Sequence, residues 1–131
     1  MVDAVSVALS GLLAQGQRLA ASANNIANAG TSGRIPTAEN PASTVYRPLD
    51  VSYTALTAGV RATVTEDPDG YSPVFSPTSP FANEEGFIAV PNVDLVKESV
   101  NALQSKMLYK ANLGVIKAER EMLDALMNTL A

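Results

Sequence analysis

The sequence predicts a mainly α-helical protein in which two long terminal helices pack as an antiparallel coiled-coil-like pair around a small β-rich, loop-rich middle module. Apolar residues recur at alternating spacings of four and three at both ends, and all eight prolines lie between Pro36 and Pro91. A length of 131 residues suits one domain. We expect an N-terminal helix in residues 1–30, a proline-bearing module in 31–91 and a C-terminal helix in 92–131, the two ends together forming one helical domain.

The first helix is predicted to run from about residue 2 to residue 28 and to stop at Gly30, a residue typical of helix C-terminal caps. Its spacing of four and three keeps one row of side chains facing a partner helix. The last helix carries a similar row, so we expect an intramolecular seam between the two helices. The predicted seam residues are Leu9, Leu12, Leu19, Ile26, Val96, Val100, Leu103 and Met107.

The middle module is predicted to hold a few short strands. Residues 31–44 lack apolar periodicity and are expected to form a loop. Apolar and polar residues alternate in 49–53 and in 60–64, which predicts two half-buried strands joined by a loop around residues 55–59. Residues 67–70 have the composition of a tight turn, and residues 87–90 are a candidate third strand. So few strands are marginally stable unless they pack against the helices.

The last helix is predicted to begin after Pro91, where Asn92 or Asp94 can accept hydrogen bonds from its free N–H groups, and to run to about Leu130. It carries a second apolar stripe, displaced from the seam by roughly 150° at 3.6 residues per turn. The members of this second stripe are Tyr109, Leu113, Ile116, Leu123, Met127 and Leu130. One partner helix cannot cover both stripes, so either the middle module or other subunits must cover the second. We favour other subunits.

Residues 23–29 form the most distinctive string in the chain, with three asparagines within five positions. Asparagine competes for backbone hydrogen bonds, which is typical of a fraying helix end. The alternative is an amide-rich surface that hydrogen-bonds across a close helix interface and fixes its register. The predicted subunit interface comprises Asn24, Asn25, Asn28, Tyr109, Leu113, Ile116, Leu123 and Met127.

The composition argues against catalysis and against nucleic-acid binding. The chain has no cysteine and no histidine, its net charge is −4, and it has neither a basic patch nor a nucleotide-binding motif. We therefore expect no enzyme activity, no cofactor and no metal site. A cleaved signal peptide is not expected, because Asp3 stands where such a peptide carries positive charge. Polar residues in the first helix also interrupt any membrane-spanning run.

Three stretches are distinctive: residues 23–29 followed by Thr31, residues 86–96 before the last helix, and the aromatic-x-Ala-Asn element of residues 109–112. These stretches resemble bacterial flagellar rod and hook proteins. The first is similar to the N-terminal signature of that family, the second to the segment leading into its C-terminal helix, and the third to an element within that helix. The short length resembles the proximal rod proteins, which lack the longer inserted domain of distal rod and hook proteins. Within that group, the FlgB type remains an alternative.

The resemblance implies an axial structural subunit of the basal body, exported through the flagellum-specific type III apparatus without a cleaved signal. It implies polymerisation in the periplasm, through the terminal helices, into the hollow drive shaft that transmits torque. The implied partners are copies of the chain, rod proteins of the FlgB, FlgF, FlgG and FliE types, and the export apparatus during secretion. The resemblance also favours the interface interpretation of the three asparagines.

The residues leave two other functions open. One is a stand-alone α+β partner-binding domain in which the middle module covers both stripes of the last helix. The other is a membrane-surface anchor built on the first helix, although such helices usually carry several basic residues and residues 1–30 contain only Arg18.

Overall fold

A computed structural model describes residues 4–37 and 45–130 of the chain. The described residues form two helices and four strands: α1 (Ala4–Asn28), β1 (Leu49–Leu56), β2 (Gly59–Glu66), β3 (Tyr71–Phe75), β4 (Phe87–Pro91) and α2 (Leu95–Leu130). The prediction of a mainly α-helical chain with a small strand-containing middle is confirmed.

The two helices lie against each other and run in opposite directions. A Cβ atom placed on Gly11 would come within 2.8 Å of the Asn112 side chain. Further along α1, Arg18 Nη2 donates to Asn101 Oδ1 at 2.6 Å. Residue numbers therefore rise along α1 while those of its neighbours fall along α2.

The side chains buried between the helices are not those of the predicted seam. Leu12 is buried, but the other seven predicted seam residues expose between 38% and 75% of their surfaces; they are Leu9, Leu19, Ile26, Val96, Val100, Leu103 and Met107. Small and polar residues are buried instead, with Ala8 at 3%, Ser22 at 2% and Ser105 at 0% exposure. Short side chains on both helices let the backbones approach closely, so the larger apolar row of α2 is turned away from α1.

Helix α2 continues beyond the described start of α1. Because Gly11 lies opposite Asn112, Ala4 lies level with about residue 119. Residues 120–130 are all exposed. At about 1.5 Å per residue they extend roughly 16 Å past α1, and we call this segment the overhang.

The helix ends are closed by side chains. Asp94 Oδ1 accepts hydrogen bonds from Val96 N at 2.9 Å and Lys97 N at 3.0 Å, so Asp94 is the N-cap of α2. Helix α1 ends at Asn28, whose carbonyl oxygen accepts from Thr31 Oγ1 at 2.7 Å. The predicted end at residue 28, two positions before Gly30, is confirmed. Gly30 does not adopt a left-handed conformation, because among the described glycines only Gly59 and Gly86 have positive φ.

Strands β1 and β2 form an antiparallel hairpin that lies along α1. Their register runs from Leu49 opposite Glu66 to Leu56 opposite Gly59, which leaves a two-residue connection shorter than the predicted loop. Near the hairpin tip, Val60 N donates to Ser10 Oγ of α1 at 3.1 Å. Gly59 has a φ of 126°, and a Cβ there would overlap the Ser10 side chain. The hairpin tip is thus seated directly on α1.

A second antiparallel pair joins β3 to β4, with Tyr71 opposite Pro91 and Phe75 opposite Phe87. The third predicted strand corresponds to β4, whereas β3 was not predicted. Gly33 is bridged to Ala89 of β4 by two backbone hydrogen bonds of 2.9 Å. The predicted loop of residues 31–44 is described only to residue 37, and residues 38–44 lie outside the described part.

Candidate assembly surface

Asn25 joins three elements within one chain. Its side chain is 1% exposed, and its Nδ2 donates to Leu49 O at 2.9 Å and to Glu98 Oε1 at 3.2 Å. Its Oδ1 accepts from Leu49 N at 2.7 Å and from Tyr46 Oη at 2.8 Å. Two donors and two acceptors are the full capacity of an amide. Asn25 therefore holds α1 to β1 and α2, which corrects its predicted place in a subunit interface.

The other two asparagines lie on the helix surface. Asn24 is exposed, and Asn28 is half-buried. Asn28 Nδ2 donates to Asn24 O at 2.9 Å, and the Asn28 carbonyl takes part in closing the helix end. Asn28 thus has a helix-ending role, while the exposed side-chain amide of Asn24 makes no hydrogen bond to the described residues, and its contact with another chain stays a prediction.

An acidic cleft lies beside Asn25, where the hairpin base meets the start of α2. Its volume is about 670 Å³, and its acidic lining residues are Asp50, Glu66, Asp67, Asp94 and Glu98. The pKa of Tyr46 is raised above its usual value, first by burial and then by the negative charges of Glu98 and Glu66. Within the described residues, no three acidic side chains come together as metal ligands. The cleft thus presents a largely negative surface, in which Lys97 is the basic residue.

Helix α2 presents an uncharged apolar row on the side away from α1. We call this row the outer α2 stripe; it consists of Val96, Val100, Leu103, Met107, Ala111, Gly114 and Ala118. At 3.6 residues per turn it lies about 150° from Glu98 and Ser105, which face α1. All seven residues are exposed. Four of them were predicted to form the intramolecular seam, so that row faces outwards instead.

Helix α1 has a matching row. We call it the outer α1 stripe; it consists of Leu9, Leu13, Gly16, Ala20, Ala23 and Ala27, spaced by four and three residues. Leu9 is 49% and Leu13 is 65% exposed. The stripe carries no charge, which makes it a poor surface to leave in water.

The residues predicted to contact other subunits along α2 are exposed, with one exception. The exposed fractions are 42% for Tyr109, 39% for Leu113, 55% for Leu123 and 68% for Met127. Ile116 is half-buried, and it follows Asn112 by one helical turn on the side nearest α1. Contact of this second stripe with other chains stays a prediction.

The exposed apolar surface is large compared with the core. The described residues bury seven hydrophobic side chains and expose twenty-four large ones, fourteen of which lie on α2. Monomeric proteins rarely leave contiguous apolar surface of this extent in water. Neither helix, over its described length, is long and apolar enough to cross a bilayer.

Gly16 and Gly114 lie in these outer stripes, and no contact among the described residues requires glycine at either position. A Cβ added to Gly16 or to Gly114 would meet nothing within 4 Å. Glycine inside a helix costs about 1 kcal/mol relative to alanine. A close approach by another backbone would explain their presence.

Comparison with known sequences places both helices in flagellar families. Residues 6–33 match the family described as flagella basal body rod protein, and residues 84–129 match the flagellar basal body rod FlgEFG protein C-terminal family. The flagellar basal-body rod protein FlgC of Yersinia enterocolitica is 32% identical over 130 residues, covering 94% of this chain and 92% of the relative.

Two further relatives agree. FlgC of Salmonella typhimurium is 32% identical over 124 residues, with 94% of this chain and 92% of the relative covered. FlgC of Bacillus subtilis is 41% identical over 66 residues, covering 50% of this chain and 44% of the relative. With two exposed helical stripes and this similarity along nearly its whole length, the chain belongs to the FlgC family of flagellar basal-body rod proteins, which are structural proteins and not enzymes.

Proposed function

We propose that this chain polymerises through α1 and α2 into the hollow shaft of the proximal rod, which transmits torque through the basal body. The observation that carries this proposal is the pair of uncharged, exposed outer stripes on two antiparallel helices. Apolar rows spaced by four and three residues are typical of coiled-coil contacts. In this proposal, coiled-coil packing joins helices of different chains, while small and polar residues join the two helices of one chain.

The exposure of both stripes favours this function over a stand-alone partner-binding domain. Such a domain requires the middle module to cover the apolar rows. The hairpin instead meets α1 at Ser10 and Asn25, while Val96 and Met107 are 75% and 70% exposed. We therefore place the strand module outside the shaft and residues 1–30 and 92–131 within it.

The partners in this proposal are other flagellar rod components. The matched relatives are flagellar basal-body rod proteins. We infer neighbours of the FlgB, FlgF, FlgG and FliE types as well as further copies of this chain. We also infer a periplasmic location in the basal body, reached through the flagellar type III apparatus without a cleaved signal.

The test is Leu103→Asp, compared with Thr63→Asp in the strand module. Both side chains are exposed, so neither change is expected to unfold the isolated chain. An unpaired carboxylate in an apolar contact costs several kcal/mol, and the contact recurs at every subunit. In cells lacking the native gene, we expect Leu103→Asp to be exported but absent from isolated basal bodies, with no swimming. Thr63→Asp should assemble normally. Normal rods containing Leu103→Asp would contradict the proposal.

A further inference from the structure

The faces by which α1 and α2 meet are largely polar. On α1, the residues turned towards α2 recur at alternating spacings of three and four, and all are buried or half-buried; they are Ala8, Gly11, Gln15, Arg18, Ser22 and Asn25. The buried or half-buried polar residues that face them from α2 are Glu98, Asn101, Ser105 and Asn112. We call these two rows the inner faces. The apolar rows with the same spacing are the outer stripes, which lie roughly 150° away on each helix.

The outer stripes offer more apolar surface for pairing than the inner faces do. Leu13 is 65% exposed on α1, while Val96 and Met107 are 75% and 70% exposed on α2. At the inner faces, by contrast, Gln15 Oε1 and Ser105 Oγ are buried without a hydrogen-bond partner among the described residues. Because the hydrophobic effect favours whichever contact removes more apolar surface from water, burial alone would pair the outer stripes of one chain with each other.

A hydrogen-bonded network opposes this preference. Arg18 Nη2 donates to Asn101 Oδ1 at 2.6 Å, and Asn101 Nδ2 donates to Glu98 Oε2 at 3.5 Å. Glu98 Oε1 accepts from Asn25 Nδ2 at 3.2 Å. We call these four residues the polar latch. The latch crosses between the helices twice and contains a guanidinium and a carboxylate, and hydrogen bonds to charged groups are stronger than those between neutral groups.

The polar latch is directional, and the outer stripes have nothing comparable. Both outer stripes consist of apolar residues and glycine, so they can pack together but form no side-chain hydrogen bond. The latch joins particular atoms, and through Asn25 it is also fixed to the backbone of Leu49 at the base of the hairpin. Directional bonds of this kind select one face and one register, as a buried polar residue does in a coiled coil.

We propose that the polar latch decides which faces of α1 and α2 pair within the chain. It holds the inner faces together although they are the less apolar pair, and it thereby leaves the outer stripes open. Without the latch, the outer stripes of one chain pair with each other. The inference rests on the proposed function in one respect, namely that the open stripes are the surfaces used in assembly.

Disulfide formation within the isolated full-length chain reports which faces pair, because the chain has no cysteine. The inner reporter is Gly11→Cys/Asn112→Cys, at two positions in contact. The outer reporter is Ala20→Cys/Leu103→Cys, at two exposed positions that are level along the helices but on opposite sides of the helix pair. A disulfide needs Cα atoms within about 7 Å. Under mild oxidation of the monomer, we expect the inner reporter to close and the outer reporter to stay reduced.

Removal of the latch should reverse this preference. Arg18→Ala/Glu98→Ala deletes both charged members, while alanine preserves the helices. Closure of the outer reporter relative to the inner one should rise about tenfold, and about threefold in Arg18→Ala alone, since each hydrogen bond to a charged group shifts an equilibrium by several-fold or more. Lys117→Ala/Glu121→Ala removes one charge of each sign from exposed positions of α2 and should leave the preference unchanged.

Circular dichroism separates the choice of faces from a loss of fold. Both arrangements are helical, so the far-UV signal of Arg18→Ala/Glu98→Ala should equal that of the unsubstituted chain. An inner reporter that closes as before in this variant would overturn the proposal. A loss of helical signal with neither reporter closing would also overturn it, because the latch would then support the fold and not the choice of faces.

Incorporation into basal bodies keeps this inference distinct from the proposed function. Arg18→Ala/Glu98→Ala, without the cysteines, should be exported but poorly incorporated, because its outer stripes are covered within the chain. If this variant keeps the inner pairing while Leu103→Asp fails to assemble, the rod function stands and the inference fails. If the outer reporter closes and the variant still assembles normally, the latch stands and the proposed role of the outer stripes fails.

Discussion

Asn25 shows how one polar residue can organise a chain with a small apolar core. A buried amide costs free energy unless its donors and acceptors are all paired. Here the Asn25 amide accepts from the backbone N–H of Leu49 and donates to the backbone C=O of Leu49, as a neighbouring strand would. The second N–H of the Asn25 amide donates to Glu98 of α2. The end of α1, the start of the hairpin and the start of α2 are therefore fixed at one point.

Asn25→Ala should lower the free energy of unfolding of the isolated chain by about 2–4 kcal/mol, since each buried group left unpaired costs about 1–3 kcal/mol. Asn24→Ala is the matched control, one residue away and exposed. It should stabilise the helix by a few tenths of a kcal/mol, because alanine has the higher helix propensity. Urea unfolding followed by far-UV circular dichroism gives both values. Equal effects of the two substitutions would refute the structural role of Asn25.

The sequence predicted that the asparagine string matters, but it assigned all three residues to one role. In the structure, Asn25 is buried and connects three elements, Asn28 closes the end of α1, and Asn24 exposes its side-chain amide on the surface. Helical spacing places Asn24 and Asn25 about 100° apart, so adjacent asparagines face different neighbours. Which neighbour covers each side depends on where the hairpin lies, and that is a tertiary property with no local signal.

At the scale of the helices, apolar periodicity correctly predicted both α1 and α2, but the partner assigned to the larger apolar row of α2 was wrong. Spacing by four and three shows which residues share a face, but it does not show what covers that face. The face of α2 used within the chain is built on Ser105, Asn101 and Asn112. The second stripe falls on this side through Ile116, but the sequence analysis assigned that stripe to other subunits. The larger apolar row was assigned to the nearest helix, and it is turned outwards.

The two open glycines give a prediction at this scale. Gly114→Leu should raise the free energy of unfolding of the isolated chain by about 0.5–1 kcal/mol, because the site is open and leucine is the better helix former. Incorporation into basal bodies should fall at the same time, since the added side chain holds the neighbouring backbone away. Gly11→Leu should lower the stability of the isolated chain, because its Cβ meets Asn112. Efficient assembly of Gly114→Leu would argue against a close approach at this position.

At the scale of the whole molecule, the sequence predicted the order of the elements but not all of them. Strand β3 was missed because Pro73 interrupts its alternation, and proline is tolerated there on an edge strand of a two-stranded sheet. The hairpin was predicted from alternation, and the Asp67 turn from its composition. How the hairpin lies along α1 depends on single contacts such as Ser10 with Val60, which alternation does not reveal.

The overhang allows assembly to be separated from folding. Deletion of residues 121–131 should change the free energy of unfolding by less than about 0.5 kcal/mol, since residues 121–130 are exposed and substitutions at such sites have small effects. The shortened chain should be absent from isolated basal bodies. A matched variant that replaces Leu123, Leu126 and Met127 by glutamine keeps the length and tests whether the apolar side chains are responsible. A large fall in the unfolding midpoint would show that the segment supports the fold.

The attachment of the hairpin to α1 at two distant points also has a mechanical consequence. Asn25 holds Leu49 and Ser10 holds Val60, and these two sites are about 22 Å apart along the helix. A helix that is hydrogen-bonded at two points to a hairpin lying along it bends less easily than a lone helix, because bending shears those two bonds. In the shaft that we propose, each hairpin would act as an external rib that stiffens the helix beneath it against torsion and buckling.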